Sequence, residues 1–192
     1  MRYRIWTVLF LVIVVCVSTS MLNVIYTYTD PIVRRNEKLK IQKSVLEVFQ
    51  IPHEEYNIQE IFGESVNTQT IEGMELYRSS SGSIAFEISG PGFWGTISAL
   101  IALEPDLETI KGLKILENKE TPGLGGRIAD DWFQGQFKGK KLVPELKIVP
   151  HGEKPNEVDA ITGATQTSKA FEKIINTNFR IFYQRITKQG SD

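Results

Sequence analysis

The residues best suited to chemistry lie near the C-terminus, in the string Asp-Ala-Ile-Thr-Gly-Ala-Thr-Gln-Thr-Ser at positions 159–168. An amphipathic helical pattern begins directly after Thr165. A helix N-terminus has unpaired N–H groups and partial positive charge, so it binds phosphate well. Gly163 permits a close approach of the backbone, and Ala164 leaves room beside it. The string therefore predicts either a phosphate site with a hydroxyl at hand or an ordinary hydroxyl-rich helix cap.

Two glycine-rich segments earlier in the chain are further candidates for a cofactor site. Gly-Pro-Gly-Phe-Trp-Gly at 90–95 has the spacing of a dinucleotide-binding fingerprint, but that fingerprint requires a helix directly after it. The pattern at 96–101 predicts a strand, so we reject the dinucleotide fold. Phe93 and Trp94 then either flank a planar ring or belong to the core. Glu-Thr-Pro-Gly-Leu-Gly-Gly at 120–126 is by composition a tight surface turn, or else a loop that offers N–H groups to a cofactor.

Composition excludes several other classes of protein. Lys and Arg number 22 against 23 Asp and Glu, so no bulk charge attracts nucleic acid. Cys16 is the one cysteine, which excludes an intrachain disulfide, a cysteine-held iron–sulfur cluster and a cysteine-based zinc site. His53 and His151 lie far apart in the chain, and we assign no metal site. An electron carrier built from this chain must therefore use an organic cofactor.

An apolar segment at the N-terminus predicts a membrane helix. Residues 5–29 carry no charge, and about 20 such residues cross the roughly 30 Å of hydrocarbon in a bilayer. A signal peptide is the alternative, but no clear A-x-A cleavage site follows, so we expect a retained anchor. The short basic N-terminus with Arg2 and Arg4 favours an N-in orientation. The basic residues that follow the segment, taken alone, favour the reverse.

The rest of the pattern predicts an α+β domain with a mostly antiparallel sheet and flanking helices. Asp30 and Pro31 indicate the start of a stalk helix, and 53–70 is a polar, poorly periodic connector. Strands are expected at 74–77, 84–88, 96–103, 110–116 and 146–149, and helices at 127–137 and 166–183. We divide the chain into an anchor (1–29), a stalk and connector (30–70), a single cofactor domain (71–186) and a polar tail (187–192).

The three candidate segments together resemble the motifs of one family. The string at 159–165 is similar to the D-x-x-(S/T)-G-A-T flavinylation motif, in which a flavin transferase esterifies the phosphate of FMN to the last threonine. Residues 120–125 resemble the E-T-P-G-L-G loop of the same FMN-binding family, and 90–95 resemble its glycine-aromatic segment. The order of the segments after one membrane helix also agrees. The resemblance is to the family of the Rnf complex G subunit and, more distantly, the C subunit of the Na⁺-pumping NADH:quinone reductase.

This resemblance implies one covalent FMN per chain, held through a phosphoester to Thr165 in domain 71–186. It also implies that Asp159 belongs to the element that the flavin transferase recognises. The other cofactor-binding residues that it implies are Trp94, Glu120, Thr121, Gly123, Leu124, Gly125, Thr162, Gly163, Ala164, Thr167 and Ser168.

The function implied by the resemblance is electron relay in a membrane complex. Electrons would pass between reduced ferredoxin and NAD⁺ through several subunits, coupled to Na⁺ or H⁺ movement, and this chain would bind neither NAD nor ferredoxin itself. Its partners would be the other membrane, flavin and iron–sulfur subunits, including one with a second covalent FMN, and transiently the flavin transferase. The flavin domain would face the extracytoplasmic side of the cytoplasmic membrane. Two alternatives stay open: the C subunit of the quinone reductase, and a flavin-free anchored assembly module.

Overall fold

A long helix forms the N-terminal part of the molecule. The computed structural model describes residues 2–189. Helix α1 runs from Arg2 to Phe49, and its large apolar side chains as far as Val33 are exposed. Among the residues described, it is the one helix that is long and apolar enough to cross a membrane. The chain divides into a unit that ends at Lys40 and a compact unit that begins at Ile41.

The predicted start of a separate stalk helix at Asp30 and Pro31 is wrong, because both residues lie inside α1. Proline removes one N–H donor from the helical ladder, but propagation of a helix that is already formed is cooperative. The Asp30 carboxylate also accepts a hydrogen bond from Arg34 Nε at 2.7 Å, one turn further along. This pair bridges the turn that contains the proline.

The centre of the compact unit is a five-stranded antiparallel sheet with its strands in sequence order. Short hairpin connections join neighbouring strands, which is why the order follows the sequence. The strands are β1 (Val66–Ile71), β2 (Met74–Ser79), β3 (Ile84–Pro91), β4 (Thr96–Leu103) and β5 (Ile110–Asn118). This confirms the predicted α+β class and four of the predicted strands, β2 to β5, and β4 supports the rejection of the dinucleotide fold.

The segment read as an irregular connector contains two regular elements that the sequence pattern missed. Helix α2 spans Ile58–Ser65, and β1 follows it directly as an edge strand. Each is anchored by its first residue, since Ile58 and Val66 are buried. The middle of β1 is polar and exposed, so it lacks the alternation of apolar and polar residues by which strands are recognised.

The remaining elements pack near one face of the sheet. A 3₁₀ turn at Gly125–Ala129 leads into the short helix α3 (Asp131–Gly135), and Asp130 between them has extended backbone angles. The single helix predicted at 127–137 is therefore two pieces. Strands β6 (Lys147–Val149) and β7 (Glu157–Asp159) form a separate parallel pair. Helix α4 spans Thr165–Gln189, longer than the predicted 166–183.

The sheet has an apolar core on each face. On one face, the buried side of α4 packs against the strands, and the rings of Phe86 and Phe182 stack with centroids 4.2 Å apart. On the other face, the C-terminal end of α1 contributes Val45 and Leu46, both fully buried. Because helices cover both faces, β4 is buried along almost all of its length. This core holds the loops at the end of the sheet where β3 passes into β4.

Candidate functional site

The three segments singled out in the sequence meet at one cavity. Its volume is about 260 Å³. The turn before β4, the loop after β5 and the N-terminus of α4 all contribute to it. The lining residues are Phe93, Trp94, Thr121, Leu124, Gly125, Gly163, Ala164, Thr165, Gln166 and Thr167. Segments that lie far apart in the chain therefore form one concave site.

The N-terminus of α4 presents an exposed hydroxyl to this cavity. Thr165 is the first residue of the helix and is exposed. Gly163, two residues before it, has φ +81°, a left-handed conformation that glycine adopts without strain. The first turn of α4 contains no acidic residue. Since the first N–H groups of a helix have no intrahelical acceptor, this end of α4 suits an anion.

The two hydroxyls that follow Thr165 are occupied by other contacts. Thr167 is 3% exposed, and its Oγ1 donates a hydrogen bond to Glu120 Oε2 at 2.6 Å. Ser168 is 1% exposed, and its Oγ accepts a hydrogen bond from the N–H of Ile161 at 3.2 Å. Both serve the packing of the helix start. Among the hydroxyls in the first turn of α4, Thr165 is the exposed one.

The wall contributed by the turn before β4 is aromatic and exposed. Phe93 is 54% exposed and Trp94 is 70% exposed. Their rings meet edge to face with centroids 5.1 Å apart. Leu124, from the loop after β5, is 48% exposed at the same cavity. The alternative that Phe93 and Trp94 belong to the core is wrong, and the cavity instead has an apolar wall open to a planar ligand.

The loop at 120–126 is held in shape by its own backbone. The carbonyl of Thr121 accepts hydrogen bonds from the N–H groups of Leu124 at 3.2 Å and Gly126 at 2.9 Å. This tight turn brings the Leu124 side chain against Gly163, where an added Cβ would lie 3.5 Å from Leu124 Cδ2. The loop after β5 and the turn before α4 are thus in contact beside Thr165.

Most of the residues predicted for the site line this cavity, and the rest lie outside its lining. Glu120 and Gly123 line a neighbouring depression of about 690 Å³ with Arg127 and Asp130. Thr162 is exposed in the turn before α4, and Ser168 is buried behind it. Gln166 lines the cavity and was missed by sequence reasoning. Its position one residue after Thr165, in the first turn of the helix, is the signal that would have found it.

Asp159 has a contact of its own at the end of β7. Its Oδ1 accepts a hydrogen bond from the N–H of Gly152 at 2.7 Å, and its own N–H donates to Gln136 Oε1 at 2.9 Å. The residue is exposed and does not line the cavity. It closes the loop between β6 and β7 and presents a carboxylate at the surface.

The cavity residues fit a flavin mononucleotide. A phosphate suits the N-terminus of α4, which has an exposed Thr165 and no acid in its first turn. A planar ring system suits the exposed wall of Phe93, Trp94 and Leu124. The fold and this site define the class: residues 92–178 match the FMN-binding domain family.

Comparison with known proteins identifies the family more closely. The chain is 30% identical over 161 residues to the G subunit of the proton-translocating ferredoxin:NAD(+) oxidoreductase complex of Clostridium ljungdahlii, covering 82% of this chain and 80% of that one. It is 38% identical over 98 residues to the C subunit of the Na(+)-translocating NADH-quinone reductase of Neisseria meningitidis. The chain belongs to the family of FMN-binding subunits that includes these two proteins.

The extent of the matches differs between the two kinds of relative. The match to the Neisseria protein covers 47% of this chain and 38% of that protein, so the chain spans about two fifths of its length. Among solved structures, NqrC of Shewanella oneidensis superimposes with a TM-score of 0.69 at 22% identity, over 76% of this chain and 93% of that one. The corresponding quinone-reductase subunit of Parabacteroides distasonis superimposes with a TM-score of 0.64. These structures share the fold described here.

Proposed function

We propose that this chain is a membrane-anchored electron-transfer subunit that carries one FMN, bound covalently through a phosphoester to Thr165. The observation that carries the proposal is the exposure of Thr165 at the start of α4, in the cavity where the three motifs meet, while Thr167 and Ser168 are buried and hydrogen-bonded. Covalent attachment keeps the cofactor on a site that is open to solvent. When bound, FMN supplies the redox chemistry.

The attachment step transfers a flavin phosphate to the Thr165 hydroxyl. A phosphate monoester needs activation, so the donor is a flavin dinucleotide such as FAD, used by a flavin transferase. The Thr165 Oγ forms a new bond to the flavin phosphorus, and the P–O bond to AMP breaks. AMP leaves with that electron pair, and a base of the transferase takes the hydroxyl proton. The phosphodiester then carries one negative charge, which the N-terminus of α4 stabilises.

The protein side chains around the cavity bind and orient the ring system. Leu124 and Trp94 offer apolar surface to it, and the loop at 120–126 is rigid because Thr121 accepts two backbone hydrogen bonds. The wall also excludes water from the face that it covers, which tunes the reduction potential of a flavin. Gly123 at φ +73° and Gly163 at φ +81° permit the two turns that border this wall.

Membership of an Rnf-type complex is the form of this function that we favour. The Clostridium relative agrees with the chain along four fifths of its own length, whereas the match to the Neisseria quinone-reductase subunit covers about two fifths of that protein. In this role the chain relays electrons between other subunits of a ferredoxin:NAD oxidoreductase, coupled to Na⁺ or H⁺ translocation. The quinone-reductase role is the second candidate, and the higher identity over those 98 residues favours it.

Flavin attachment is tested by co-expressing the full-length protein with a flavin transferase. We expect intact-mass analysis to show one FMN adduct, which peptide mapping assigns to Thr165 and which Thr165→Ala abolishes. Thr68→Ala is the matched control, because that exposed hydroxyl lies on β1, outside the motif and the cavity lining, and its adduct should persist. A wild-type chain without an adduct, or an adduct on another hydroxyl, would contradict the proposal.

We also propose that the flavin domain faces the extracytoplasmic side, with α1 as a retained anchor. The short basic segment at the N-terminus is expected to stay in the cytoplasm, because the positive-inside rule applies to short flanking segments. Protease added to spheroplasts should therefore digest the domain while a cytoplasmic marker stays intact. Protection of the domain until the membrane is broken would reverse the orientation and weaken the Rnf-type assignment.

A further inference from the structure

Glu120 joins all three segments of the site through one buried carboxylate. The residue is 5% exposed. Its Oε1 accepts a hydrogen bond from the N–H of Trp94 at 2.9 Å, and its Oε2 accepts one from Thr167 Oγ1 at 2.6 Å. The first partner belongs to the aromatic turn and the second to the first turn of α4. Glu120 itself begins the loop that carries Leu124.

Two glycines enclose this carboxylate closely. A Cβ added to Gly92 would lie 2.5 Å from Glu120 Oε1 and 2.7 Å from Ile97 Cδ1. A Cβ added to Gly125 would lie 2.8 Å from Glu120 Oε2 and would also collide with Thr167 Oγ1. Backbone therefore packs directly against the carboxylate. A side chain at either glycine would therefore collide with the bridge.

We propose that Glu120 is the positioning residue of the site: it holds the first turn of α4 in the orientation that presents Thr165 to a flavin donor. The proposal rests on covalent attachment at Thr165. Thr167 is two residues from the acceptor in the same helical turn, so a hydrogen bond that fixes Thr167 also fixes the backbone of Thr165. The bond to Trp94 fixes the aromatic wall relative to that turn.

The chemistry of the bridge argues for a geometric role. Burial of a carboxylate costs free energy, which hydrogen bonds offset only when their geometry is good. An apolar contact would hold the loops together without that cost. A hydrogen-bonded carboxylate differs in that it fixes the orientation of both of its partners. The rate of a group transfer depends on orientation, since a displacement of about 1 Å can reduce it roughly a hundredfold.

The test compares variants of the full-length protein by the initial rate of FMN attachment with a flavin transferase and excess FAD. Thr167→Val removes the hydroxyl at nearly constant volume, and we expect attachment to Thr165 to slow about tenfold or more. Thr167→Ser restores the hydroxyl and should recover most of the rate. Glu120→Ala should slow attachment similarly, and the Glu120→Ala/Thr167→Val double variant should be no slower than the slower single variant.

Ser83→Ala is the matched control. Ser83 is fully buried, and its Oγ donates to the Glu104 carboxylate at 3.2 Å, away from the cavity lining. The Ser83→Ala variant should therefore have a lower free energy of unfolding in urea but attach FMN at the wild-type rate. Hydrogen exchange of the Ser168 amide, which donates to the Ala164 carbonyl at 3.0 Å, should rise in the flavin-free Thr167→Val variant and not in Ser83→Ala.

The outcomes separate this inference from the proposed function. If the wild-type chain attaches FMN at Thr165 but Thr167→Val is as fast, Glu120 has no positioning role. The same conclusion follows if Thr167→Ser is as slow as Thr167→Val, or if Ser83→Ala slows attachment equally. If the wild-type chain gains no adduct at Thr165, it is the proposed function that fails.

Discussion

Individual hydroxyl and carboxyl groups have distinct roles at this site because burial separates them. Thr165 and Thr167 are two residues apart in one helix, yet the first is exposed and the second is 3% exposed. An exposed hydroxyl can meet a second protein, whereas a buried one serves its neighbours. The same distinction applies to the acids, since Glu120 is enclosed and Asp159 is at the surface.

The surface carboxylate of Asp159 gives a prediction about transferase recognition. Asp159→Asn keeps an oxygen that can accept the bond from the Gly152 N–H but removes the charge. We expect this variant to unfold like the wild type and yet to attach FMN at least about tenfold more slowly, as measured by intact mass against time. Glu153→Gln, which removes a neighbouring exposed charge, is the control and should be unaffected.

A structural role for Asp159 gives the opposite pattern. Asp159→Asn would then attach FMN normally, and only Asp159→Ala would be impaired, because it leaves the Gly152 N–H without its acceptor. The loss of one such hydrogen bond is expected to lower the free energy of unfolding by about 1 kcal/mol. Comparison of the two variants therefore distinguishes recognition by charge from closure of the β6–β7 loop.

At the scale of secondary-structure elements, the turns decide how the strands are joined. The connection from β4 to β5 is built on Asp106, whose Oδ1 accepts from the N–H groups of Glu108 at 3.0 Å and Thr109 at 2.9 Å. Its Oδ2 accepts from Thr109 Oγ1 at 2.6 Å. These bonds let Leu107 adopt φ +59°, a left-handed conformation uncommon for a residue with a side chain. The turn thus sets the start of β5, the strand that leads to the loop at 120–126.

The pKa of Asp106 makes the stability of this turn dependent on pH. Burial raises the pKa, but the hydrogen bonds from Thr109 and Glu108 outweigh it, so the pKa of Asp106 is below the usual carboxyl range. Between the folded-state and unfolded-state pKa values of Asp106, the unfolded chain binds more protons than the folded chain. The stabilisation that the Asp106 carboxylate provides is therefore fully present above the unfolded-state pKa and is lost as pH falls through the folded-state pKa. The effect is modest, because the side chain is exposed and screened by solvent.

Urea unfolding at neutral pH and well below the usual carboxyl range tests this turn. Asp106→Ala should lower the free energy of unfolding by about 1 kcal/mol at neutral pH, and the difference from the wild type should shrink in acid. Asp106→Asn keeps an acceptor for the two N–H groups, and the contribution of the asparagine to the free energy of unfolding should not change with pH. A wild-type advantage that stays constant into acid would show that the charge of Asp106 is irrelevant.

At the scale of the whole molecule, helix α1 has two parts with different surroundings. The part of α1 in the unit ending at Lys40 exposes apolar side chains, as a membrane helix does. The part in the compact unit buries Val45, Leu46, Val48 and Phe49 against the sheet. The end of α1 is therefore a core element of the flavin domain.

Two leucines of α1 test this division. Leu46 is 0% exposed, and Leu46→Ala should lower the free energy of unfolding of the domain by about 2–5 kcal/mol. Leu22 is 67% exposed, and Leu22→Ala should leave it unchanged. Urea unfolding in detergent, followed by tryptophan fluorescence, measures both. Equal effects of the two substitutions would mean that the end of α1 is not part of the domain core.

The sequence alone determined the features that depend on local chemistry. Periodicity indicated β2 to β5 and the buried side of α4, including Phe171, Ile175 and Phe182. The run without charges indicated the membrane helix, and the three motifs indicated an FMN-binding family. Edge strand β1 and the passage of α1 through Pro31 were missed. Strand β1 is stabilised by pairing with β2 despite its polar pattern, and α1 continues through Pro31 because an established helix propagates cooperatively.

Only the tertiary structure decided which side chains of the site are exposed and which are held by contacts within the protein. Glu120 contacts Trp94 and Thr167, which are 26 and 47 residues away along the chain. No local pattern encodes such a contact, because it exists only when the sheet, the loop and the helix are packed together. The same packing leaves Phe93 and Trp94 exposed and buries Thr167 and Ser168, residues of types that sequence rules would assign the other way. Burial is a property of the assembled core, and it separates Thr165 from the hydroxyls beside it.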